Sequence, residues 1–206
     1  LEVWLLSAAR VIELQRRFSR QPAPLAQRSE RSFRTARVDP LTDSANRLRL
    51  REDLEALQSR VARYGHRYCA ALCDVDFFKA YNDANGHIAG DAALRRIAGA
   101  MGAQIRRGDT LYRYGGEEFL VILPGQDLTE ASSVMERVRH AVSALRLARP
   151  GPPPGVLTIS VGIAELRDRG ETCDDWLRRA DAALYAAKHA GRDRVEVDRT
   201  VPPRAD

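Results

Sequence analysis

The chain has 206 residues, 44% of them apolar, which suffices for one full-sized core with residues left over for a helical extension. Its 33 basic and 28 acidic residues leave a net charge of +5, drawn largely from Arg-rich sequence between residues 10 and 37, and this modest excess gives no argument for nucleic acid. No apolar run reaches the roughly 18 residues of a membrane span, and three cysteines without a C-x-x-C pair exclude a thiol metal or redox motif and suit a reducing, cytoplasmic setting.

In chain order, residues 1–20 place Leu1, Leu5, Ala8 and Ile12 on one helical face, with Trp4 and Val11 alongside. Pro22 and Pro24 break that pattern, and the polar stretch to residue 37 reads as a linker. Because the first residue is Leu1 rather than Met, an upstream sensor or regulatory module is expected outside this chain. From Asp39 the pattern becomes a compact alternation of helices and strands. A helix is predicted over 48–64, from Leu50, Leu54, Leu57 and Val61, and a strand buried on both faces over 68–75, with Cys69 and Cys73 on the same face. A helix follows over 88–105. Two β-prone runs, 110–114 and 120–123, joined through Gly115-Gly116, read as a hairpin whose turn needs positive φ. A helix at 129–147, a Pro/Gly loop at 149–155, a strand at 156–164, a helix at 174–190 and a strand at 194–197 complete the chain. The predicted class is α/β, a central mixed β-sheet surrounded by helices. The divisions are an N-terminal helix and linker over 1–37, the α/β domain over 38–200, and a flexible tail over 201–206.

The chemistry concentrates around the hairpin. Glu117 and Glu118 stand behind the glycine pair, and the strand over 68–75 runs into a second acidic pair, Asp74 and Asp76. Carboxylates so placed suit a divalent cation that also meets substrate phosphate. Taken alone, Asp74 and Asp76 equally suit an acidic turn and helix N-cap, while the backbone N–H groups of Phe77, Phe78 and Lys79 suit a phosphate. Asn82 and Asp91 offer the donor and acceptor that a guanine edge requires, although Asp83-Ala84-Asn85-Gly86 also reads as a plain turn. His87 reads as a structural hydrogen-bonder. Lys188, Arg192 and Arg194 gather where the last helix ends, as dipole complements or as phosphate ligands. Arg106 and Asp109, within Arg106-Arg107-Gly108-Asp109, read from their chemistry as a charged turn.

These blocks, in this order, resemble the GGDEF family of diguanylate cyclases in its GGEEF variant. The resemblance rests on Asp74-x-Asp76-x-Phe78-Lys79-x-x-Asn82-Asp83, Gly86-His87-x-x-Gly90-Asp91, Gly115-Gly116-Glu117-Glu118-Phe119, Thr158-Ile159-Ser160-Val161-Gly162 and Ala180-Asp181-x-Ala183-Leu184-Tyr185-x-Ala187-Lys188-x-x-Gly191-Arg192, and spans residues 39–198. It implies a nucleotidyl cyclase-like fold and a homodimeric enzyme, one GTP per subunit, that makes cyclic di-GMP and two pyrophosphates. It further implies Asp74, Glu117 and Glu118 in catalysis. Asp74, Glu117 and the Val75 carbonyl would hold two Mg²⁺ or Mn²⁺ ions per half-site. Phe77, Phe78, Lys79, Asn82, Asp91, Lys188 and Arg192 would bind GTP. For Arg106-x-x-Asp109 the resemblance reverses the charged-turn reading: with Arg137, these residues are expected to form an inhibitory cyclic di-GMP site. Intact Asp74, Glu117 and Glu118 argue against a degenerate relative that only binds nucleotide, and Asn82 and Asp91 favour guanine over the base of a class III-like cyclase. No nucleic acid or membrane contact is expected of the fragment. One departure stands out. The family's opening motif usually carries Gly-Leu where this chain has Asp43-Ser44, within Asp39-x-Leu41-Thr42-Asp43-Ser44-Ala45-Asn46-Arg47.

Overall fold

A computed structural model of the chain describes residues 36–64, 66–149, 151, 154–166 and 170–200. The expected N-terminal helix, most of the linker and the tail at 201–206 lie outside the described residues.

The first element is α1, Arg47–Tyr64. Asn46 starts it, its Oδ1 accepting the N–H groups of Leu48 and Arg49, both at 3.1 Å, so two otherwise orphaned donors are satisfied. Strand β1, Tyr68–Val75, follows and leads into two short-linked helices, α2 (Phe78–Asn85) and α3 (His87–Gly102). Gly86, at φ 81°, makes the corner between them, where an L-residue would be strained. The hairpin strands are β2, Thr110–Arg113, and β3, Glu118–Pro124. Helix α4, Leu128–Ser143, opens on a capping box between Asp127 and Glu130. A short ribbon of β4 (Ala148–Arg149) and β5 (Gly155–Val156) precedes β6 (Ile159–Glu165), α5 (Cys173–His189) and β7 (Val195–Val197).

Strands β1, β2, β3, β6 and β7 form one mixed sheet in the order β2-β3-β1-β6-β7. Strand β1 sits at its centre, antiparallel to both β3 and β6, while β6 and β7 run parallel. That position suits a sequence of small and apolar residues buried along both faces. The odd-numbered side chains Cys69, Ala71, Cys73 and Val75 pack with α3 and α4 in one core, and Tyr68, Ala70 and Leu72 pack with α1 and α5 in the other. The domain is therefore helix on sheet on helix. The three cysteines are free and buried, as expected.

On the second face the sheet and α5 approach very closely. A Cβ on Gly162 would overlap the Leu184 nitrogen and the Ala180 carbonyl of α5, so only glycine admits the helix at this distance. Trp176, buried beneath the same helix, donates its indole N–H to the Ala164 carbonyl at 2.8 Å. The backbone of α5 thus lies directly on β6, and its C-terminal end is carried towards the end of β1.

Several boundaries differ from the sequence expectation. The strand expected over 156–164 is broken, because Leu157 N–H bonds the Leu147 carbonyl, extending the ribbon, and pairing with β1 begins only at Ile159 opposite Val75. The helix expected to 105 ends at Gly102, and the one expected to 147 ends at Ser143. The expectation of positive φ at Gly115-Gly116 is incorrect, since neither residue is in the left-handed region. A Cβ on Gly115 would sit 2.5 Å from Glu118 Oε2, so the glycine leaves that carboxylate room without forcing it to swing aside. The turn closes through the Tyr114 and Gly115 N–H groups, which both donate to the Glu118 carbonyl.

Candidate active site

The antiparallel register of β1 and β3 puts Asp74 opposite Glu118, and Val75 N–H donates to the Glu117 carbonyl at 3.3 Å. Asp74, Glu117 and Glu118 are thereby gathered at one end of the sheet. Burial pushes the Asp74 carboxyl above the usual range and Asp76 adds to this, although the Lys188 bond and charge oppose it. Glu117 is raised for similar reasons: burial first, then repulsion from Asp74 and Glu118, with Lys188 again opposing. Partly desolvated, mutually repelling carboxylates are relieved by a cation. Lys188 Nζ is such a cation, 2.8 Å from Asp74 Oδ2. Among the described residues no three acidic or thiol or imidazole groups stand close enough to enclose a metal. Two carboxylates are what a hard, oxygen-preferring ion needs when phosphate and water complete its shell, so the donor set fits Mg²⁺ or Mn²⁺. Glu118, opposite Asp74, lines a pocket on the same α5 side with Tyr114, Asp174, Leu177 and Asp181.

Asp76 is the residue whose role the sequence left open as a helix N-cap. It is 1% exposed and caps nothing. Its carboxylate accepts the hydroxyls of Thr158 and Ser160, both at 2.7 Å, and the N–H of Asp193 at 3.1 Å. The last bond fixes the loop after α5, where Gly191, Arg192 and Asp193 all have positive φ. Arg139 of α4 grips the same loop through its bond to Asp193 Oδ1 at 2.7 Å. The Arg192 guanidinium is so placed that it lies 4.6 Å from the Phe77 ring centre. Phe77, left-handed at φ 59°, turns the chain into α2, whose first turn no side chain caps. The uncapped N–H groups of Phe78 and exposed Lys79, with Arg192 over the neighbouring Phe77 ring, are suited to phosphate oxygens.

Asn82, on α2, lies against α3 at Gly90, where a Cβ would overlap the Asn82 amide oxygen. That Oδ1 is buried with no hydrogen-bond partner, and exposed Asp91 is the next residue after Gly90. An orphaned amide oxygen and a carboxylate at one helix junction fit a base edge. His87 is the exposed first residue of α3.

Arg106 and Asp109 do meet. The Asp109 carboxylate accepts Arg106 N–H at 3.1 Å, Arg106 Nε at 3.3 Å and Gln126 Nε2 at 3.3 Å, while Arg106 also donates to the Pro124 carbonyl at 2.6 Å. Arg137 reaches the same corner, bonding the Gln104 carbonyl at 3.2 Å. The Asp109 side chain is only 1% exposed, whereas that of Arg106 is 59% exposed.

A further link was not foreseen from sequence. Asp39 accepts from Thr42 N–H, the Thr42 hydroxyl and Arg113, and Arg113 in turn donates to the Gly116 carbonyl at 2.9 Å. Asp43 holds φ 57° where a glycine was expected, and buried Ser44 shares a 2.6 Å bond with the Thr42 hydroxyl. Aspartate is one of the few L-residues that tolerates this conformation, so the departure keeps the turn. The hint in the sequence was Arg113, a cation set just before the glycine pair.

Residues 36–194 match the family described as "Diguanylate cyclase, GGDEF domain". The chain is 43% identical over 162 residues to the diguanylate cyclase DgcP of Pseudomonas aeruginosa, covering 79% of this chain and 24% of that protein. It is 37% identical over 191 residues to the response regulator PleD of Caulobacter vibrioides, covering 92% of this chain and 42% of PleD. The chain therefore spans well under half of either relative. Among solved structures it resembles the coiled coil and GGDEF domain of DgcB from Caulobacter crescentus in complex with c-di-GMP, with a TM-score of 0.77, 33% identity, and 96% and 100% of the two chains covered. The diguanylate cyclase SiaD from Pseudomonas aeruginosa, in complex with its activator SiaC, gives a TM-score of 0.74 at 40% identity, over 95% of this chain and 75% of that one. With its sheet order, its paired acidic turns and this match over most of its length, the chain belongs to the GGDEF domain family of diguanylate cyclases.

Proposed function

We propose that this chain condenses two GTP molecules into cyclic di-GMP and two pyrophosphates, each subunit of a homodimer presenting one nucleotide. The observation that carries the reading is the convergence of Asp74 and Glu117, both held above the usual carboxylate range by burial, with Lys188 against Asp74. Asn82 and Asp91 receive the guanine edge. The N–H groups of Phe77, Phe78 and Lys79, with Lys188 and Arg192, hold the triphosphate. Asp74, Glu117 and the Val75 carbonyl would hold Mg²⁺ or Mn²⁺, which would supply Lewis-acid polarisation of the reacting phosphate. In this reading Glu117 accepts the proton of the attacking 3′-hydroxyl, and Glu118 supports it from the same turn. Because one subunit offers only one nucleotide, its own 3′-oxygen has no second α-phosphate to attack, and the reaction requires two subunits face to face.

Arg106, Asp109 and Arg137 form the product-binding corner, restraining the enzyme when cyclic di-GMP accumulates. Exposed Arg106 is the group that a ligand meets first, and the enclosed Asp109 carboxylate becomes available as Arg106 is drawn off it. Among the described residues no helix is long and apolar enough to cross a membrane.

The test is chromatography of nucleotides after incubating the protein, stripped of bound product, with GTP and Mg²⁺, beside Glu117→Ala. Cyclic di-GMP from the parent and none from the variant is the expected result. No product at high protein concentration, with cyclic di-GMP binding that Arg106→Ala abolishes, would make the chain a receptor instead.

A further inference from the structure

We infer that Arg139, on α4, is a positioning residue for GTP: through Asp193 it holds the Arg192 loop in the shape that meets the triphosphate. The inference rests on the GTP-binding reading of Arg192. None of the five blocks by which the family was recognised contains Arg139 or Asp193.

The loop is an unusual piece of backbone. Gly191, Arg192 and Asp193 stand at φ 112°, 62° and 45°. Glycine takes such angles freely and aspartate tolerates them, but arginine does so at a cost. That conformation persists only where the surroundings over-determine it. Arg192 N–H donates to the Ala187 carbonyl at 3.0 Å, which ties the start of the loop to α5. Asp193 is then held from two sides. Its N–H donates to the buried Asp76 carboxylate at 3.1 Å, and its own Oδ1 accepts Arg139 Nη1 at 2.7 Å. The first contact fixes the main chain and the second fixes the side chain, so Asp193 can neither slide nor turn. Arg192, its neighbour, is aimed by that clamp towards the Phe77 ring.

Arg139 is placed to hold rather than to meet a ligand. Its side chain is 14% exposed. Nε donates to Glu136 Oε2 at 2.8 Å, and Nη2 lies 3.1 Å from His140 Nε2. All three nitrogens of the guanidinium are thus engaged within the protein. The helix beneath it is anchored in turn, because Met135, Val138 and Val142 are buried in the core that α3 and β1 share. A charged pair with such a base is stiff, and removing either partner leaves the other without its match. The two arginines divide the work: Arg192 meets phosphate, and Arg139 sets where Arg192 stands.

The test is titration calorimetry with a GTP analogue whose α,β-bridging oxygen is a methylene group, which binds but cannot release pyrophosphate, alongside kcat at saturating GTP. Parent, Arg139→Gln, Arg139→Lys, Asp193→Asn and Arg192→Ala are compared. Arg139→Gln and Asp193→Asn are each also combined with Arg192→Ala, and thermal unfolding verifies that each variant folds. Arg139→Gln should weaken the analogue roughly fivefold while kcat stays within about twofold of the parent. Arg139→Lys should recover part of the affinity. Asp193→Asn keeps the tolerance for left-handed backbone and loses only the charge, so it should weaken the analogue in the same direction and carry the test if Arg139→Gln does not fold. In the Arg192→Ala background either change should cost almost nothing further, since its effect passes through Arg192. Equal losses with and without the Arg192 side chain would overturn the assignment, as would a fall in kcat at unchanged affinity. Parent-like affinity in Arg139→Gln and Asp193→Asn beside a weakened Arg192→Ala would overturn it too, leaving the GTP reading intact. Parent-like affinity in Arg192→Ala, or no binding of the analogue by the parent, would remove the reading of Arg192 and the inference with it.

Discussion

Lys188 Nζ and Asp74 Oδ2 stand 2.8 Å apart, so the cation expected to meet phosphate also restrains the carboxylate expected to meet metal. Burial raises the Asp74 pKa, and Lys188 is the largest influence pulling it back. Replacing Lys188 by Met should therefore do more than weaken GTP binding. The Asp74 carboxyl would rise further, and activity that needs it ionised would be lost at higher pH than in the parent. We expect kcat/KM for GTP to fall by about ten- to a hundredfold, as for loss of a bond to a charged group. The acid limb of the pH–rate profile should move upward. An unmoved acid limb would show that Asp74 ionisation does not depend on Lys188.

Asp76→Asn removes a carboxylate that accepts three bonds and puts an amide NH₂ among donors. The amide oxygen can keep Thr158 and the Asp193 N–H, but the NH₂ then faces Ser160, whose hydroxyl must accept rather than donate and loses the acceptor for its own proton. The expected cost is about 1–3 kcal/mol of stability, read from urea unfolding, because the group is fully buried. Loosening of the Gly191–Asp193 loop should raise the KM for GTP more than it lowers kcat, since Arg192 binds rather than reacts. A variant with unchanged KM would separate that loop from substrate binding.

How much of this could be read from the chain alone differs from residue to residue. Strand β1 was legible to the residue, because a short, nearly unbroken apolar run between polar flanks has a compositional signature. Asp74, Glu117 and Lys188 were legible as motif members, and the fold brings Lys188 onto Asp74. The partners of Asp76 were not, since Ser160 lies 84 positions away and no local pattern announces a hydroxyl aimed at a carboxylate. Gly115-Gly116 shows the converse. The glycines were legible, but turn geometry was misread as their cause: neither has positive φ, and the Glu118 carboxylate lies over Gly115.

Gly162→Ala tests the close approach of α5. A methyl group there meets backbone atoms of Leu184 and Ala180, which cannot rotate away as a side chain would. We expect a loss of about 1–3 kcal/mol on urea unfolding, and a fall in cyclase activity larger than the fraction unfolded explains, because Lys188 moves with the helix. Activity that falls only in step with folding would show that the helix shift does not reach Lys188.

Asp39 gives a prediction about acid stability. Burial alone would raise its pKa, but the Thr42 and Arg113 bonds outweigh this and hold it below the usual range. Its folded pKa thus lies below its unfolded value of about 3.9, so the stabilisation is present above that value and lost as pH falls through the folded one. Asp39→Asn should be less stable than the parent near neutral pH, by up to about 1 kcal/mol given partial exposure. The two stability curves should converge below about pH 4. Curves that stay parallel into acid would assign the difference to lost hydrogen-bond geometry rather than to charge.

Arg113 is anchored at both ends, by Asp39 before the first helix and by the Gly116 carbonyl in the turn that carries Glu117. The practical consequence concerns where such a domain can be cut. A chain begun after Asp39 would retain the five blocks from Asp74 to Arg192, yet Arg113 would hold the turn that carries Glu117 with one hand. The fragment would look nearly whole by its motifs, and the turn would have lost its outer mooring.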